Sequence, residues 1–243
     1  MEVRMKLSEI EIDLPYQKDE IFIRTMQKNA TIGYQEALRM DYELNWKGKR
    51  REFQLMTKCM TSMIERIMKP IITKDCWKII IECVSNQENQ DYKNLLGVYT
   101  IQVQINLDIF YSANDYDKKK MIIDIILDGI QKLSNSVAFE LSSITCACID
   151  IANEGYLNEW LWGKKKLSKK IVQIKVQHEI HTVNIFMIFF DEKNVVIKEE
   201  LIISTVPDER SYGKYLGKLI SISKDTVALI DKYGEEVARV CIY

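Results

Sequence analysis

The chain has 243 residues, of which 47% are hydrophobic and 28% are charged, a composition typical of folded proteins and not of disordered chains. Its formal net charge of −1 provides no global positive field of the kind that concentrates nucleic acid or anionic lipid. The longest apolar run, residues 183–190, is far shorter than the roughly eighteen residues that a membrane span needs.

Six cysteines lie inside apolar, periodic segments, which is typical of buried thiols in a reducing compartment. The first fifteen residues mix charges with apolar side chains and lack the apolar core of a signal peptide. Many Ile, Lys and Asn residues with only three prolines suit an AT-rich bacterial genome. We therefore predict a cytoplasmic protein, with no membrane as a partner.

The first predicted strand changes its apolar parity part-way along. Val3, Met5 and Leu7 lie on one parity, and Ile10, Ile12 and Leu14 lie on the other. A bend near residues 8–9 is needed to keep both sets on the core side. A short strand is predicted at residues 21–24. Residues 38–46 alternate like a second amphipathic strand, with a helix over residues 34–44 as the alternative.

Helical spacing begins after a predicted turn at residues 47–49. Apolar side chains then recur at helical period and stop before Pro70, at Met56, Met60, Met63, Ile64 and Ile67. This spacing predicts a helix of roughly four turns that starts near Phe53. Residues 77–84 are almost all apolar or β-branched, which is typical of a strand covered on both faces.

The clearest pattern in the chain is an alternation over residues 99–111. Tyr99, Ile101 and Val103 begin the apolar parity, and the polar parity contains Thr100, Gln102, Gln104, Asn106 and Asp108. Because successive strand side chains point to opposite faces, the pattern predicts one strand about 43 Å long, with one face on a core and one in water.

Two helices and a run of strands are predicted after this alternation. Asp115 and Asp117 are suited to begin a helix that continues to Leu133, and a second helix follows over residues 137–153 with Gly155 in the C′ position. From residue 169 onward the chain alternates at period two, apart from a long polar loop over residues 205–217. This pattern is typical of an antiparallel meander.

The predicted fold class is α+β: a mainly antiparallel sheet, about three helices packed on one of its faces, and a β-rich C-terminal third. The strands each have one apolar face and the helices each have one apolar stripe. Packing the helices on one face of the sheet is the simplest arrangement that buries these apolar surfaces. We predict a helix-on-sheet region over residues 1–165. The meander over residues 166–243 is either its own domain or continuous with the first.

Metal, cofactor and nucleophile patterns give no specific signal in the sequence. His178 and His181 point to opposite faces of a predicted strand, and Cys146 and Cys148 diverge around a predicted helix. We therefore predict no metal, no cofactor and no catalytic residue, which favours a protein that is not an enzyme.

Three sets of residues remain as binding candidates. The polar parity Thr100, Gln102, Gln104, Asn106 and Asp108 suits a protein-docking surface, with Trp160 and Trp162 as aromatic anchors. The long loop offers Asp208, Glu209, Arg210 and Tyr212 for a ligand or active-site pocket at the junction of the two halves. The third set is the basic cluster Lys164, Lys165, Lys166, Lys169 and Lys170, beside aromatic side chains as nucleic-acid surfaces often are.

These candidates give one leading hypothesis and two alternatives. The leading hypothesis is a non-enzymatic, cytosolic protein-binding module of the inhibitor or immunity-protein type, which neutralises a partner protein by covering its active site. The alternatives are a ligand-binding domain or enzyme with a pocket between the halves, and a nucleic-acid-binding protein that uses the basic cluster. The sequence does not specify an oligomeric state.

Overall fold

Helices cover one face of a mixed four-stranded sheet in the first part of the chain. The computed structural model describes residues 4–30, 32–87 and 91–242. The chain divides into two units, Met1–Tyr156 and Leu157–Tyr243. The second unit begins at Leu157, nine residues before residue 166, the predicted start of the meander. The predicted strand residue Val3 lies outside the described residues.

The strands of the first unit form two sheets. They are β1 (Met5–Lys6), β2 (Glu9–Asp13), β3 (Ile72–Thr73), β4 (Lys78–Val84), β5 (Lys93–Leu95) and β6 (Val98–Gln104). β1 pairs with β3, and the larger sheet has the order β2-β4-β6-β5. The break between β1 and β2 falls at residues 7–8, where the change of apolar parity predicts a bend.

Six α-helices of the first unit lie between or after these strands. They are α1 (Glu20–Ala30), α2 (Tyr34–Asp41), α3 (Lys47–Ile67), α4 (Leu107–Ser112), α5 (Asp115–Ser134) and α6 (Ser142–Asn153), and a π-helical segment, Tyr42–Trp46, joins α2 to α3. Gly155 follows α6 with a φ of +71°, as its predicted C′ position requires.

Three predictions within residues 21–49 are wrong, because residues 21–24, 38–46 and 47–49 are all helical. The predicted strand at residues 21–24 lies in α1, and the predicted turn at residues 47–49 is the first turn of α3. Residues 38–46 are also helical, as the alternative stated. The two buried side chains of α2 are Ala37 and Asp41, four residues apart, so burial follows the helical period and not the alternation.

The long strand predicted over residues 99–111 is wrong in its second half. β6 ends at Gln104, and the Asn106 side chain accepts a hydrogen bond from the Ile109 backbone N–H at 3.2 Å, which begins α4. Within α4, Phe110 is fully buried and its ring lies 5.1 Å from that of Phe53. A helix cap and one buried aromatic ring therefore end the strand despite continued alternation.

The core of the first unit lies between the sheet and its helices. Ile79 and Ile81 of β4 and Ile101 and Val103 of β6 are buried, and α5 packs against both strands. A Cβ atom at Gly129 of α5 would lie 2.9 Å from the Ile81 Cδ1 atom. Glycine at this position therefore permits the close approach of helix and sheet.

The second unit is built from two antiparallel sheets. Its strands are β7 (Glu159–Leu167), β8 (Lys170–His178), β9 (Val183–Phe190), β10 (Val196–Thr205), β11 (Lys218–Ser221), β12 (Thr226–Ile230) and β13 (Glu236–Cys241). The sheet orders are β10-β9-β8-β7 and β11-β12-β13. The predicted long loop contains a short helix, α7 (Glu209–Tyr212), and a 3₁₀ turn, Gly213–Tyr215.

The α+β class, the antiparallel sheets and the β-rich C-terminal part are confirmed. In the first unit, however, β2 pairs with β4 and β4 with β6 in parallel, and only β5 is antiparallel to its neighbour. Side-chain alternation has the same period in both kinds of ladder. The sequence pattern therefore predicts the strands but not their relative direction.

Candidate functional site

The first sheet has a second face, which we call the open face, on which most side chains are half-buried or exposed and only Asp13 and Val84, at its carboxyl end, are buried. Thr100, Gln102 and Gln104 of β6 lie on it, opposite to the buried parity of the same strand. The strand register places Thr100 beside Ile80 and Gln102 beside Glu82. The open face is formed by Glu9, Glu11, Lys78, Ile80, Glu82, Lys93, Leu95, Val98, Thr100, Gln102 and Gln104.

The open face carries more acidic than basic groups. Lys78 lies between two carboxylates, with its Nζ atom 3.0 Å from the Glu9 Oε1 atom and in contact with Glu11. Burial lowers the pKa of Lys78, but its hydrogen bonds to Glu11 and Glu9 outweigh burial and hold the pKa above its ordinary value. Glu82 adds a third carboxylate, 3.4 Å from the Gln102 Nε2 atom.

The carboxyl ends of the parallel strands form a second part of the site. Gln104, Asn106 and Asp108 line a cleft of about 520 Å³ together with Ser85. An adjoining cleft of about 430 Å³ is lined by Tyr16, Ser85, Gln102 and neighbouring residues. In open sheets with parallel strands, ligands bind most often at this edge. Four of the five polar residues predicted on one strand therefore line these two clefts: Gln102, Gln104, Asn106 and Asp108.

Asn106 and Asp108 reach the cleft in a different way from the prediction. Both were expected on the strand with Thr100, but they lie at the start of α4. The carboxylate of Asp108 is in the first helical turn, where it complements the positive end of the helix dipole. Gln104 is exposed, and its Nε2 atom donates to the Ser85 carbonyl oxygen at 2.9 Å.

A buried carboxylate beside the cleft was missed by the sequence analysis. The Tyr16 hydroxyl donates to the Asp41 Oδ2 atom at 2.6 Å, and the Asp19 N–H donates to the same oxygen at 2.8 Å. The Asn45 side chain donates to the Asp41 Oδ1 atom at 2.7 Å. Asp41 lies within residues 38–46, for which the alternation predicts a strand. Its spacing of four from Asn45 was the signal for a helical contact.

The two tryptophans lie in the second unit and pack against its core. Trp160 and Trp162 are half-buried on β7, and the Trp160 ring lies 6.3 Å from that of Tyr212. Their contacts correspond to the packing role of an aromatic side chain in a β-sheet core. Trp160 and Trp162, the proposed aromatic anchors, therefore pack against the hydrophobic core of the second unit.

The loop candidates Asp208, Glu209, Arg210 and Tyr212 form one helical turn. Asp208 begins α7 by accepting a hydrogen bond from the Arg210 N–H at 3.1 Å. Tyr212 is buried, its ring lies 5.7 Å from that of His178, and its hydroxyl donates to the Glu209 Oε1 atom at 3.3 Å. The contacts of Asp208 and Tyr212 are those of a cap and a core side chain.

The basic cluster is distributed along and beyond β7. Lys164, Lys165 and Lys166 lie on β7 and alternate between its two faces. Lys169 lies 3.7 Å from Glu192, and Lys170 lies 3.3 Å from Asp225. Neighbouring carboxylates therefore offset part of the charge that a nucleic-acid phosphate would need.

Within residues 4–30, 32–87 and 91–242, no group of three or more His, Cys, Asp or Glu side chains is arranged to hold a metal ion. None of the helices in those same ranges is long and apolar enough to cross a membrane. No protein-family model, curated protein or solved structure matches this chain.

Proposed function

We propose that this chain is a non-enzymatic, cytosolic protein-binding module that neutralises a partner protein by covering a functional site on it, as inhibitor and immunity-type proteins do. The observation that carries this proposal is the open face with its adjoining carboxyl edge. Hydrogen-bonding side chains lie there in fixed register, from Lys93 and Thr100 through Gln102 and Glu82 to Gln104.

Rigid presentation supports binding through this surface. The backbone that carries these side chains is held by the strand ladder, so little backbone freedom is lost when a partner docks. Glutamine and asparagine amides both donate and accept, and they can match the polar groups of another protein surface. The excess of carboxylates over lysines favours a partner whose docking surface is basic, because complementary charge speeds association and excludes wrong partners.

The proposal is tested by co-purification of the full chain with the products of adjoining genes, followed by titration of any complex. Gln104→Lys changes an exposed side chain where the open face meets the carboxyl edge, and it adds a positive charge. We expect it to weaken the complex by about tenfold or more, because the added charge opposes a basic docking surface on the partner. Lys120→Gln, on the exposed side of α5, is the matched control and should leave affinity unchanged.

Equal affinity of the wild type, Gln104→Lys and a second variant, Thr100→Arg, would contradict the proposal, provided that each variant keeps the thermal midpoint of the wild type. Failure of every adjoining gene product to co-purify would also count against an immunity-type role. Loss of affinity in Gln104→Lys alone would restrict the docking surface to the carboxyl edge.

A further inference from the structure

The four-stranded sheet of the second unit carries apolar side chains on both of its faces. Val172, Ile174 and Val176 of β8 belong to the core of that unit, and Ile185 and Met187 of β9 lie beside them. The alternate residues of each strand point to the opposite side, which we call the outer face. Every strand contributes an apolar side chain to it: Leu161, Ile171, Phe186, Ile188, Phe190 and Leu201. A sheet face that only contacts water is usually polar, so this composition points to a covering partner.

The apolar side chains of the outer face are ordered in rows by the strand register. In one row Leu161 of β7 lies beside Lys175, Lys175 beside Phe186, and Phe186 beside Leu201 of β10. The leucines at the two ends of this row are 51% and 52% exposed, and Phe186 between them is half-buried. The row therefore presents an exposed leucine at each edge of the sheet.

The neighbouring row along the strands carries opposite charges at its two ends. It begins with Lys164 on β7, continues through Gln173 and Ile188, and ends with Glu199 on β10. Lys164 and Glu199 are both exposed, and Glu199 also contacts Lys175. Three strand spacings, about 14 Å, separate Lys164 from Glu199, so the two side chains cannot pair with each other within one copy.

We infer that the outer face packs on the outer face of a second copy of this chain, related by a two-fold axis that runs along the strands. Such an axis places β7 of each copy opposite β10 of the other, and β8 opposite β9. Lys164 then faces Glu199 of the second copy, and Leu161 faces Leu201. Each contact occurs twice, as a self-complementary two-fold interface requires.

The direction of the axis follows from the same two rows. An axis across the strands would place Lys164 against Leu161 of the second copy, and Glu199 against Leu201, which sets charges on apolar side chains. The axis along the strands joins leucine to leucine and cation to anion instead. It also places Lys175 opposite Phe186, a pairing already present within each copy, where the Lys175 Nζ atom lies 4.7 Å from the ring centroid.

The size of the outer face makes this dimer a weak one. Four strands and the six-residue span from Ile171 to Gln177 give a face of roughly 19 Å by 20 Å, or about 400 Å² in each copy. The total of about 800 Å² is below the standard size of a specific interface and suits association at high concentration. The inference concerns the second unit and does not depend on the proposed function.

The experiment is sedimentation equilibrium of the full chain at concentrations up to about 1 mM, which covers weak association. The wild type should form a monomer–dimer equilibrium. Leu201→Thr keeps a strand-forming residue but removes the exposed apolar group, and it should weaken the dimer by about tenfold or more. Tyr233→Thr, at a side chain that is 80% exposed in the β12–β13 connection, is the matched control and should dimerise like the wild type.

A charge exchange tests the direction of the axis. Lys164→Glu and Glu199→Lys should each weaken association by about tenfold, because each sets like charges against each other at two symmetric contacts. The double variant should associate more tightly than either single variant. Lys164 and Glu199 are too far apart to pair within one copy, so this recovery reports contact between copies.

Four results would overturn the inference. A wild type that stays monomeric at every concentration leaves the outer face to a different protein. Dimers that resist Leu201→Thr, or that are weakened equally by Tyr233→Thr, use another surface. Assemblies that grow beyond two copies exclude a closed two-fold contact, and a double variant no tighter than the single variants excludes the axis along the strands.

Discussion

The Arg50 guanidinium of α3 donates two parallel hydrogen bonds to the carboxylate of Asp13, the last residue of β2. Its Nε atom lies 2.7 Å from the Asp13 Oδ1 atom, and its second nitrogen contacts Oδ2. Gln54 donates to the same carboxylate at 2.9 Å. Asp13 is buried, so this pair ties α3 to the edge strand of the sheet at the point where the carboxyl edge begins.

Removing Arg50 should destabilise the first unit. Arg50→Ala leaves the buried Asp13 carboxylate with only neutral partners, and we expect a loss of about 3 kcal/mol in the free energy of unfolding. Urea unfolding measures this loss. Arg39→Ala breaks an exposed pair with Glu36 on α2 and should cost less than about 1 kcal/mol. Equal losses in the two variants would show that burial of Asp13 does not matter.

Two helical glycines should respond to alanine with opposite signs. Gly48→Ala on α3 meets nothing within 4 Å and should stabilise the protein by about 1 kcal/mol, because alanine favours helix. Gly129→Ala places a Cβ atom against Ile81 and should destabilise by about 1–2 kcal/mol through overpacking. Adding Ile81→Val removes the nearest Cδ1 atom and should recover part of that loss. Thermal or urea unfolding of the four proteins gives the comparison.

The two-residue connection between β5 and β6, Leu96–Gly97, should become more stable with a residue suited to its backbone conformation. Leu96→Asn relieves a left-handed backbone conformation and should raise the free energy of unfolding by about 1 kcal/mol. Gly97→Ala should lower it by about 2 kcal/mol, because its Cβ atom would lie 2.8 Å from both the Asp75 carbonyl oxygen and the Trp77 ring. A Leu96→Asn variant less stable than the wild type would contradict the strain argument.

Asp41 should contribute to acid unfolding. Burial raises the pKa of its carboxyl, but hydrogen bonds from Tyr16, Asn45 and the Asp19 amide outweigh burial and hold the pKa below its ordinary value. The folded state therefore binds this proton less readily than the unfolded state. The resulting stabilisation is present above about pH 4 and is lost as the pH falls through the lowered pKa.

This contribution is measured by urea unfolding between neutral and acidic pH. Asp41→Asn should be less stable than the wild type at neutral pH, and the difference should shrink as the pH falls. Asp124→Asn, at an exposed position on α5, controls for the loss of one negative charge. A difference between Asp41→Asn and the wild type that stays constant across the pH range would contradict the assignment.

The six cysteines should divide into fast and slow thiols under native conditions. Cys146 and Cys241 are exposed and should react first with a thiol reagent. Burial raises the pKa of Cys76 and of Cys148 to about 12, so these thiols form little reactive thiolate near neutral pH. Mass spectrometry of partly labelled protein identifies the order of reaction, and denatured protein should label at all six positions.

The sequence by itself determined the α+β class, the position of β4, the extent of α5 and the antiparallel strands of the C-terminal part. Each of these depends on a long, regular periodicity, which side-chain burial imposes locally. It also identified Gln102, Gln104, Asn106 and Asp108 as one polar group. These residues are close in the chain, so they remain neighbours whichever local structure they adopt.

Only the tertiary structure decided where the alternation ends and how the strands are directed. Asn106 caps a helix and Phe110 packs on Phe53, and neither contact changes the alternating pattern of the sequence. The parallel pairing of β2, β4 and β6 joins segments far apart in the chain, and strand period is the same in either direction. The cleft at their carboxyl ends and the Asp13–Arg50 pair follow from those long-range contacts, which local periodicity does not encode.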